Sequence, residues 1–387
     1  MKNRWQLVVS AMLWIFLFVF ITTGQTARAQ SIPTLAERIQ RVTSRPEFTH
    51  ANFGIEFYSL DSGKVIYALN SEKMFVPAST TKLLTEGALL AELGADYRFH
   101  TRIYRTGPID SKGKLKGDLI LVANGDPNLS NRMQPDGTMA FVDEDHSYNG
   151  PALPGDPLTV IKELAGKISA KGIRKIDGRL LIDTSLFPDG GREGGTDVVM
   201  SSIMVNDNVI DLVITPGVKS GDATIVDYSP HTSCVKFINH VTTGAPDSKP
   251  NLESPEVESN DDGSVLVTLT GSLPPGIAPQ TVAFAVPSPT TFATTVLREA
   301  LVASGVQFKK GATMRPADFA VFSRFYVPEN LVAEHVSAPL SEEIKVTLKV
   351  SQNLHAGMGP YLLGTLVAKD IKNPLTAGFR IEREFLQ

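Results

Sequence analysis

The segment Pro77-Ala78-Ser79-Thr80-Thr81-Lys82-Leu83-Leu84 places a serine and a lysine three positions apart, directly after Pro77. Apolar residues near helical spacing predict a helix from about Ser79 to Leu93, ended by Gly94. The i, i+3 spacing puts Ser79 and Lys82 on one face, where an amine can activate a hydroxyl as nucleophile. Taken alone, Ser79 also fits an ordinary helix N-cap. Upstream, β-like runs at 53–60 and 65–69 predict a hairpin.

A serine nucleophile of this kind needs a second polar element that relays protons and holds substrate, typically Ser-x-Asn. Ser147-Tyr148-Asn149 matches, but it precedes Gly150-Pro151, which favours a turn. Ser351-Gln352-Asn353 follows a helix predicted from about Ser341, so its side chains can project into a cleft; its simpler interpretation is a polar helix cap. Two further Ser-x-x-Lys matches lie in a Gly-rich turn and ahead of a strand, at 111–114 and 233–236.

Outside these motifs, the predicted secondary structure differs from one region of the chain to the next. Short strands separated by Gly- and Pro-rich loops dominate residues 97–285, interrupted by a helix predicted over Pro157–Ala170. A further helix is predicted from Ser288 as N-cap, with Pro289 in its first turn, to Gly305. We therefore predict a mixed α/β domain split into 33–96 and 286–387, with a β-rich inserted region of one or two subdomains at 97–285.

Composition excludes several functional classes. The 387 residues carry 37 Lys and Arg against 41 Asp and Glu, a net charge of −4 without a basic stripe, so no nucleic-acid partner is expected. Cys234 is the single cysteine, which rules out an intramolecular disulfide and a thiolate metal cluster. The seven histidines show no metal-ligand spacing. We expect neither a metal nor a cofactor.

The N-terminus has the pattern of a secretory signal peptide. Lys2 and Arg4 precede an apolar run at 7–21, and Ala27-Arg28-Ala29 supplies the small residues of a cleavage site. We predict that residues 1–29 are removed and that the mature protein is periplasmic or otherwise exported, with no stable membrane span. An uncleaved anchor helix is the alternative, although the apolar run is short for a bilayer.

Segments 77–84 and 351–354, in this order, resemble the Ser-x-x-Lys and Ser-x-Asn motifs of the penicillin-recognising serine hydrolases. The sequence between these two segments is similar to that of one branch of the family, the D-alanyl-D-alanine carboxypeptidase/endopeptidases, which are low-molecular-mass class C penicillin-binding proteins. The resemblance extends from about residue 33 to the end. The stretches that carry it are 117–120, 125–130, 183–187, 205–209 and 337–340.

The resemblance implies an α+β fold, in which a split β-lactamase/transpeptidase-like domain with an antiparallel sheet carries the β-rich insertion. It implies a penicillin-sensitive serine D,D-peptidase that hydrolyses D-Ala-D-Ala bonds, and also cross-link bonds, of peptidoglycan stem peptides without a cofactor. Ser79 would form the acyl-enzyme, Lys82 would take its proton, Ser351 would relay the proton and Asn353 would bind substrate. Peptidoglycan peptides and β-lactams are the implied partners. The preference between carboxypeptidase and endopeptidase action and the oligomeric state stay open.

The chain departs from the family pattern in its third motif. No Lys-[Thr/Ser]-Gly follows Asn353, and Lys219-Ser220-Gly221 lies ahead of Ser351, so we interpret it as a coincidental match. We therefore expect a C-terminally truncated member with a half-built cleft. The alternatives are a truncated, non-catalytic remnant that at most binds wall peptides, and a compact β-lactamase or esterase, which the insertion disfavours. Gly357 and Gly359-Pro360 are expected to break the helix after Asn353, and His355 to be a surface or core histidine.

Overall fold

The structure is a computed structural model that describes residues 32–187, 189–309 and 318–387. The predicted signal peptide falls on residues outside these ranges. The described residues form two compact units, one ending at Pro77 and the other beginning at Ala78. Among the helices that the structure describes, none has the length and apolar character that a membrane span requires.

The first unit consists of a helix and a hairpin. Helix α1 (Leu35–Thr43) starts at a capping box, in which Thr34 and Glu37 satisfy each other's backbone N–H groups. A 3₁₀ turn, Pro46–Phe48, follows. Strands β1 (Ile55–Ser59) and β2 (Lys64–Leu69) then pair antiparallel. The hairpin predicted from the sequence is confirmed.

The second unit mixes helices and sheets, as predicted. Its α-helices are α2 (Lys82–Leu93), α3 (Thr159–Ala170), α4 (Pro289–Ala303), α5 (Leu340–Val350), α6 (Asn353–Leu362) and α7 (Pro374–Phe385). A π-helical turn, Leu363–Val367, links the last two of these helices. The 3₁₀ turns are Ala78–Thr81, His146–Tyr148, Asn206–Asn208, Phe319–Phe325 and Pro328–Asn330.

The strands of the second unit are short. They are β3 (His100–Arg105), β4 (Lys114–Leu115), β5 (Leu119–Val122), β6 (Lys175–Ile176), β7 (Leu180–Asp183), β8 (Val209–Thr215), β9 (Ile225–Ser229), β10 (Val235–Asn239), β11 (Thr242–Thr243), β12 (Asn251–Leu252), β13 (Glu256–Ser259), β14 (Val265–Leu269), β15 (Gly271–Leu273), β16 (Gln280–Ala285), β17 (Gln307–Phe308) and β18 (Leu331–Val336).

These strands build several small sheets with both parallel and antiparallel pairs. The largest described sheet has the order β18-β3-β5-β7, with the last pair parallel and the others antiparallel. The smaller sheets are β16-β8-β9, β10-β14-β13, β17-β6-β4 and β11-β15-β12. Strands β5 and β7 are almost wholly apolar in sequence and buried, as expected for strands covered on both faces.

The β-rich part of the second unit has its own hydrophobic core. Helix α3 lies within the predicted range Pro157–Ala170, buries an apolar stripe that includes Ile161, Leu164 and Ile168, and packs against α4. Helix α4 begins as the sequence indicated, because the Ser288 hydroxyl accepts the backbone N–H of Thr291 and the first helical residue is a proline.

A second core lies among α2, α5, α6 and α7. The expectation that Gly359-Pro360 would break the helix after Asn353 is wrong, because α6 runs to Leu362. A Cβ atom on Gly359 would lie 2.3 Å from Thr85 Cγ2, and one on Gly378 of α7 would lie 1.8 Å from the Pro360 carbonyl oxygen. The glycines thus permit close helix packing, which outweighs their low intrinsic helix propensity.

Candidate active site

Ser79 and Lys82 lie where a 3₁₀ turn passes into helix α2. Ser79 is exposed within the turn, and Lys82 is the first residue of the α-helix and is buried. Thr81, not Ser79, occupies the N-cap position, so the ordinary N-cap interpretation of Ser79 is wrong. The residue before the serine, Ala78, has φ of 46°, a left-handed conformation that is unfavourable for alanine. The Lys82 Nζ atom lies 2.9 Å from the Ser79 Oγ atom.

The tripeptide Ser351-Gln352-Asn353 joins two helices rather than only ending one. Ser351 is the C-cap of α5 in a left-handed conformation, with φ of 58° and ψ of 39°. Gln352 is the N-cap of α6, and its side-chain oxygen accepts the N–H of Leu354 at 3.1 Å. Asn353 is the first residue of α6. This sharp corner turns the Ser351 and Asn353 side chains toward Lys82.

The lysine connects the two motifs. Besides Ser79, the Lys82 Nζ atom contacts the Ser351 Oγ atom at 3.2 Å and the Asn353 Oδ1 atom at 2.6 Å. An ammonium group has three N–H donors, so these three acceptors saturate it. The structure thus brings together all four residues that the sequence singled out, although Lys82 and Ser351 are 269 positions apart.

Burial lowers the pKa of Lys82, because desolvation disfavours the charged amine, whereas the carboxylates of Glu193 and Glu86 oppose this effect. Glu86 lies one turn further along α2 and is itself buried. Desolvation and the neighbouring Glu382 raise the pKa of Glu86 to about 8. The site therefore favours a neutral lysine more than solvent does, as a general base requires.

Sequence reasoning missed Tyr148 as a site residue. The sequence favours a turn at the tripeptide that contains it, and Tyr148 does end the 3₁₀ turn His146–Tyr148. The Tyr148 hydroxyl donates to the Ser351 carbonyl oxygen at 2.9 Å and accepts the backbone N–H of Asn353. Burial raises the pKa of Tyr148 to about 12, so the phenol stays protonated at neutral pH. The Ser-x-Asn spacing drew attention to the segment, but the contact depends on folding.

A buried group of charged residues lies behind the corner. Asp207 accepts hydrogen bonds from Arg132, His146 and His355, each at 2.9 Å. Burial alone would raise the pKa of Asp207, but Arg132 and His355 hold it well below its usual value. Burial opposes protonation of His146, yet its bonds to Asp207 and Asp211 raise its pKa to about 10. His355 is therefore a paired core histidine, as expected.

Asp145, His146 and Asp207 have the side-chain types of metal ligands, and their ligand atoms lie within 4.8 Å of one another. However, the Arg132 guanidinium contacts Asp145 at 2.5 Å and Asp207 at 2.9 Å. The positive charge that these carboxylates need is thus supplied by a side chain. The arrangement fits a buried ion-pair network better than a metal site.

The other sequence matches lie elsewhere. Ser111 is in an exposed turn, and the Ser233 hydroxyl donates to Glu299 at 2.6 Å. Lys219-Ser220-Gly221 lies in the turn between β8 and β9, where the Lys219 N–H bonds Asp222 and the Gly221 N–H bonds the Thr243 carbonyl. These described contacts place Lys219 in a surface turn, and its exclusion from the site remains a prediction.

A family model, described as the D-Ala-D-Ala carboxypeptidase 3 (S13) family, matches residues 35–381. The chain belongs to this family. Within it, the chain is 27% identical over 349 residues to a D-alanyl-D-alanine carboxypeptidase of an Actinomadura species, covering 86% of this chain and 57% of that protein. It is 23% identical over 367 residues to the D-alanyl-D-alanine carboxypeptidase DacB of Haemophilus influenzae, covering 88% of this chain and 67% of the relative.

The fold is likewise similar to that of a solved protein. The crystal structure of penicillin binding protein 4 from Haemophilus influenzae superposes with a TM-score of 0.63 at 20% sequence identity, covering 87% of this chain and 67% of that one. A second structure of that protein, complexed with a β-lactam, gives a TM-score of 0.61 at 22% identity, covering 87% and 66%. The family and the fold predicted from the sequence are thereby confirmed. This S13 chain spans between half and two thirds of the length of these relatives.

Proposed function

We propose that this S13 chain is a serine D,D-carboxypeptidase that cleaves the D-Ala-D-Ala bond of peptidoglycan stem peptides through an acyl-enzyme on Ser79. The observation that carries the proposal is the single amine of Lys82, which is hydrogen-bonded to Ser79, Ser351 and Asn353 at once. These are a nucleophile, a proton relay and a substrate-binding amide around one general base. Family membership supplies the substrate class.

In the first half-reaction the neutral Lys82 amine takes the Ser79 hydroxyl proton as Ser79 Oγ attacks the carbonyl carbon between the two D-alanines. The backbone N–H of Ser79 is one donor for the resulting oxyanion. Ser351 passes the proton from the lysine to the nitrogen of the leaving D-alanine, and the C–N bond breaks. The remaining peptide is then an ester on Ser79.

In the second half-reaction a water molecule attacks the ester carbonyl with Lys82 again as base. The peptide leaves as a carboxylic acid, and Ser79 regains its proton. Asn353 contributes to both halves. Its Oδ1 atom accepts from Lys82, which leaves its NH₂ group as the donor for a substrate carbonyl. A penicillin undergoes only the first half-reaction, because the leaving amine of its opened β-lactam ring stays attached to the acyl group on Ser79.

The proposal also covers the cellular setting. Peptidoglycan lies outside the cytoplasmic membrane, so the predicted signal peptide at 1–29 and an exported or periplasmic protein are part of the same hypothesis. The expected ligands are cell-wall peptides and β-lactams. N-terminal sequencing of the secreted protein tests this part, with Gln30 as the expected first residue.

The central test is labelling with a fluorescent penicillin, followed by peptide mapping. We expect the label on Ser79, and we expect Ser79→Ala to abolish it while the circular dichroism spectrum stays unchanged. Ser111→Ala is the matched control, because Ser111 also belongs to a Ser-x-x-Lys sequence but lies in an exposed turn. A label on Ser111 or Ser233, or no label at all, refutes the proposal and favours a non-catalytic remnant.

A second measurement follows D-alanine release from a diacetyl-Lys-D-Ala-D-Ala peptide. Release that depends on Ser79 and Lys82 supports the carboxypeptidase. Lys219→Ala provides the control for the alternative Lys-Ser-Gly sequence, and we expect it to leave the rate unchanged. If Lys219→Ala abolished release, the interpretation of this tripeptide as coincidental would be wrong.

A further inference from the structure

We propose that Tyr148 is a positioning residue that holds the backbone of Ser351-Gln352-Asn353 in place relative to Lys82. The buried network of Arg132, Asp145 and Asp207 supports both this backbone and the turn that carries Tyr148. This inference rests on the proposed function for its effect on acylation. Its structural content, the fixing of the helix corner by one phenol, can be tested without any activity.

The first argument concerns backbone groups at the corner. The Ser351 carbonyl belongs to the end of α5 and the Asn353 N–H to the start of α6, where helices leave such groups without an intrahelical partner. The Tyr148 hydroxyl serves both, since it donates to the former and accepts from the latter. It thereby bridges the two peptide groups that flank Gln352, directly after the left-handed Ser351, a conformation that serine adopts only with support from its surroundings.

The second argument concerns Gln352, the middle residue of the corner, which is fully buried. Its side-chain NH₂ group donates to the Asp145 carboxylate and to the Ser147 hydroxyl, both at 2.8 Å. Asp145 in turn accepts the N–H of Ser147 at 3.1 Å and so caps the 3₁₀ turn that presents Tyr148. One carboxylate therefore holds both the corner and the turn that carries the tyrosine.

The third argument concerns the charges that hold this carboxylate. Arg132 joins Asp145 to Asp207, and Asp207 accepts from His355 on the first turn of α6. The side chains of Arg132, Asp145, Asp207 and His355 are each at most 2% exposed. Distorting this buried network would separate buried charges from their partners, which is costly and makes the network a rigid support.

The functional consequence follows from the distances at Lys82. Ser351 Oγ is 3.2 Å from the amine, so a shift of the corner lengthens or breaks the path by which the proton reaches the leaving group. Misplacement of a catalytic group by about 1 Å can cost about 100-fold in rate. Both described hydrogen bonds of the Tyr148 hydroxyl to the motif go to backbone atoms, which is why we assign it a positioning and not a catalytic role.

The test compares Tyr148→Phe with Tyr361→Phe. The first substitution removes only the hydroxyl. The second removes a hydroxyl from a half-buried tyrosine on α6, which packs on Phe187 at a ring separation of 5.0 Å and lies outside the machinery described above. We expect Tyr148→Phe to lower the acylation rate at saturating penicillin by about 10-fold to 100-fold, with little change in the penicillin dissociation constant. Tm should fall by a few degrees, because the Ser351 carbonyl and the Asn353 N–H lose their hydrogen-bond partner. Tyr361→Phe should leave all three unchanged.

Hydrogen exchange at 351–354 is the readout that needs no activity. The Asn353 amide should exchange faster in Tyr148→Phe than in the wild type, whereas Tyr361→Phe should not accelerate it. If the wild type is not acylated, the proposed function fails, and exchange still decides whether Tyr148 holds the corner. An unchanged Asn353 exchange rate overturns the inference. So does an unchanged acylation rate in a Tyr148→Phe protein whose wild type is acylated on Ser79.

Discussion

Replacing Glu86 by glutamine should stabilise the protein increasingly as the pH rises. Glu86 is 3% exposed, and burial, with a smaller contribution from Glu382, raises its pKa from 4.5 to about 8. Between these two values the folded protein keeps a proton that the unfolded chain has released. The free energy of unfolding therefore falls as the pH rises through this interval, by about 1.4 kcal/mol per pH unit.

Over the whole interval from 4.5 to about 8 this amounts to about 5 kcal/mol, which is an upper limit because the structure relaxes around an ionised group. Less than about 1 kcal/mol of it has been lost by pH 5. Glutamine keeps the size and the neutral charge of the protonated acid. The gain from Glu86→Gln should therefore be small at pH 5 and reach several kcal/mol at pH 9.

Urea unfolding followed by circular dichroism at pH 5, 7 and 9 measures this gain. Glu92→Gln is the matched control, because Glu92 lies on the same helix and is exposed. Glu92→Gln should have little effect on the free energy of unfolding at any of the three pH values. A gain from Glu86→Gln that does not grow with pH would show that the buried carboxyl is not protonated in the folded protein, and the reasoning would be refuted.

The same substitution should also affect catalysis. An ionised Glu86 raises the pKa of Lys82, which must be neutral to act as base. In Glu86→Gln the rise of the penicillin acylation rate with pH should therefore move to lower pH. A profile that stays in place would mean that the two groups are not coupled in the way their positions indicate.

Two further predictions concern the lysine and the helix packing. Lys82→Ala should lower the rate of Ser79 acylation by about 10²-fold to 10⁴-fold, measured from the time course of fluorescent penicillin labelling, because the general base is lost. Gly359→Ala should destabilise the protein by about 1–3 kcal/mol in urea unfolding, because the new methyl group meets Thr85. Gly166→Ala is its control. Gly166 lies in helix α3, where an added methyl group would have no described atom within 4 Å, and alanine there should stabilise by up to about 1 kcal/mol.

Local features of the fold were predictable because they depend on neighbours in the chain. Strands β1 and β2 form the hairpin predicted from the runs at 53–60 and 65–69, and α4 starts at the predicted Ser288 cap. The helix after Asn353 was not predicted correctly. Its glycines favour helix breaks by propensity, but their effect depends on the partner helices that approach them, which the local sequence does not show.

In the candidate site, too, some features could be predicted from the sequence and others depend on the fold. The pairing of Ser79 with Lys82 follows from their spacing at a helix start, and the resemblance of several separated segments to one family indicated Ser351 and Asn353. By sequence, Tyr148 belongs to a Ser-x-Asn match that favours a turn, and nothing local indicates its contact with Ser351 and Asn353. The predicted division into 33–96, 97–285 and 286–387 stays a prediction.

The sequence by itself indicated the family, the mixed α/β class and the four candidate residues Ser79, Lys82, Ser351 and Asn353, because motifs and periodicity record short-range geometry. Only the tertiary structure decided that the Lys82 amine meets Ser351 and Asn353, that Tyr148 bridges their backbone, and that Glu86 is buried with a raised pKa. Such contacts join residues far apart in the chain. Their geometry and desolvation arise when the helices pack together, and no local pattern of residues specifies them.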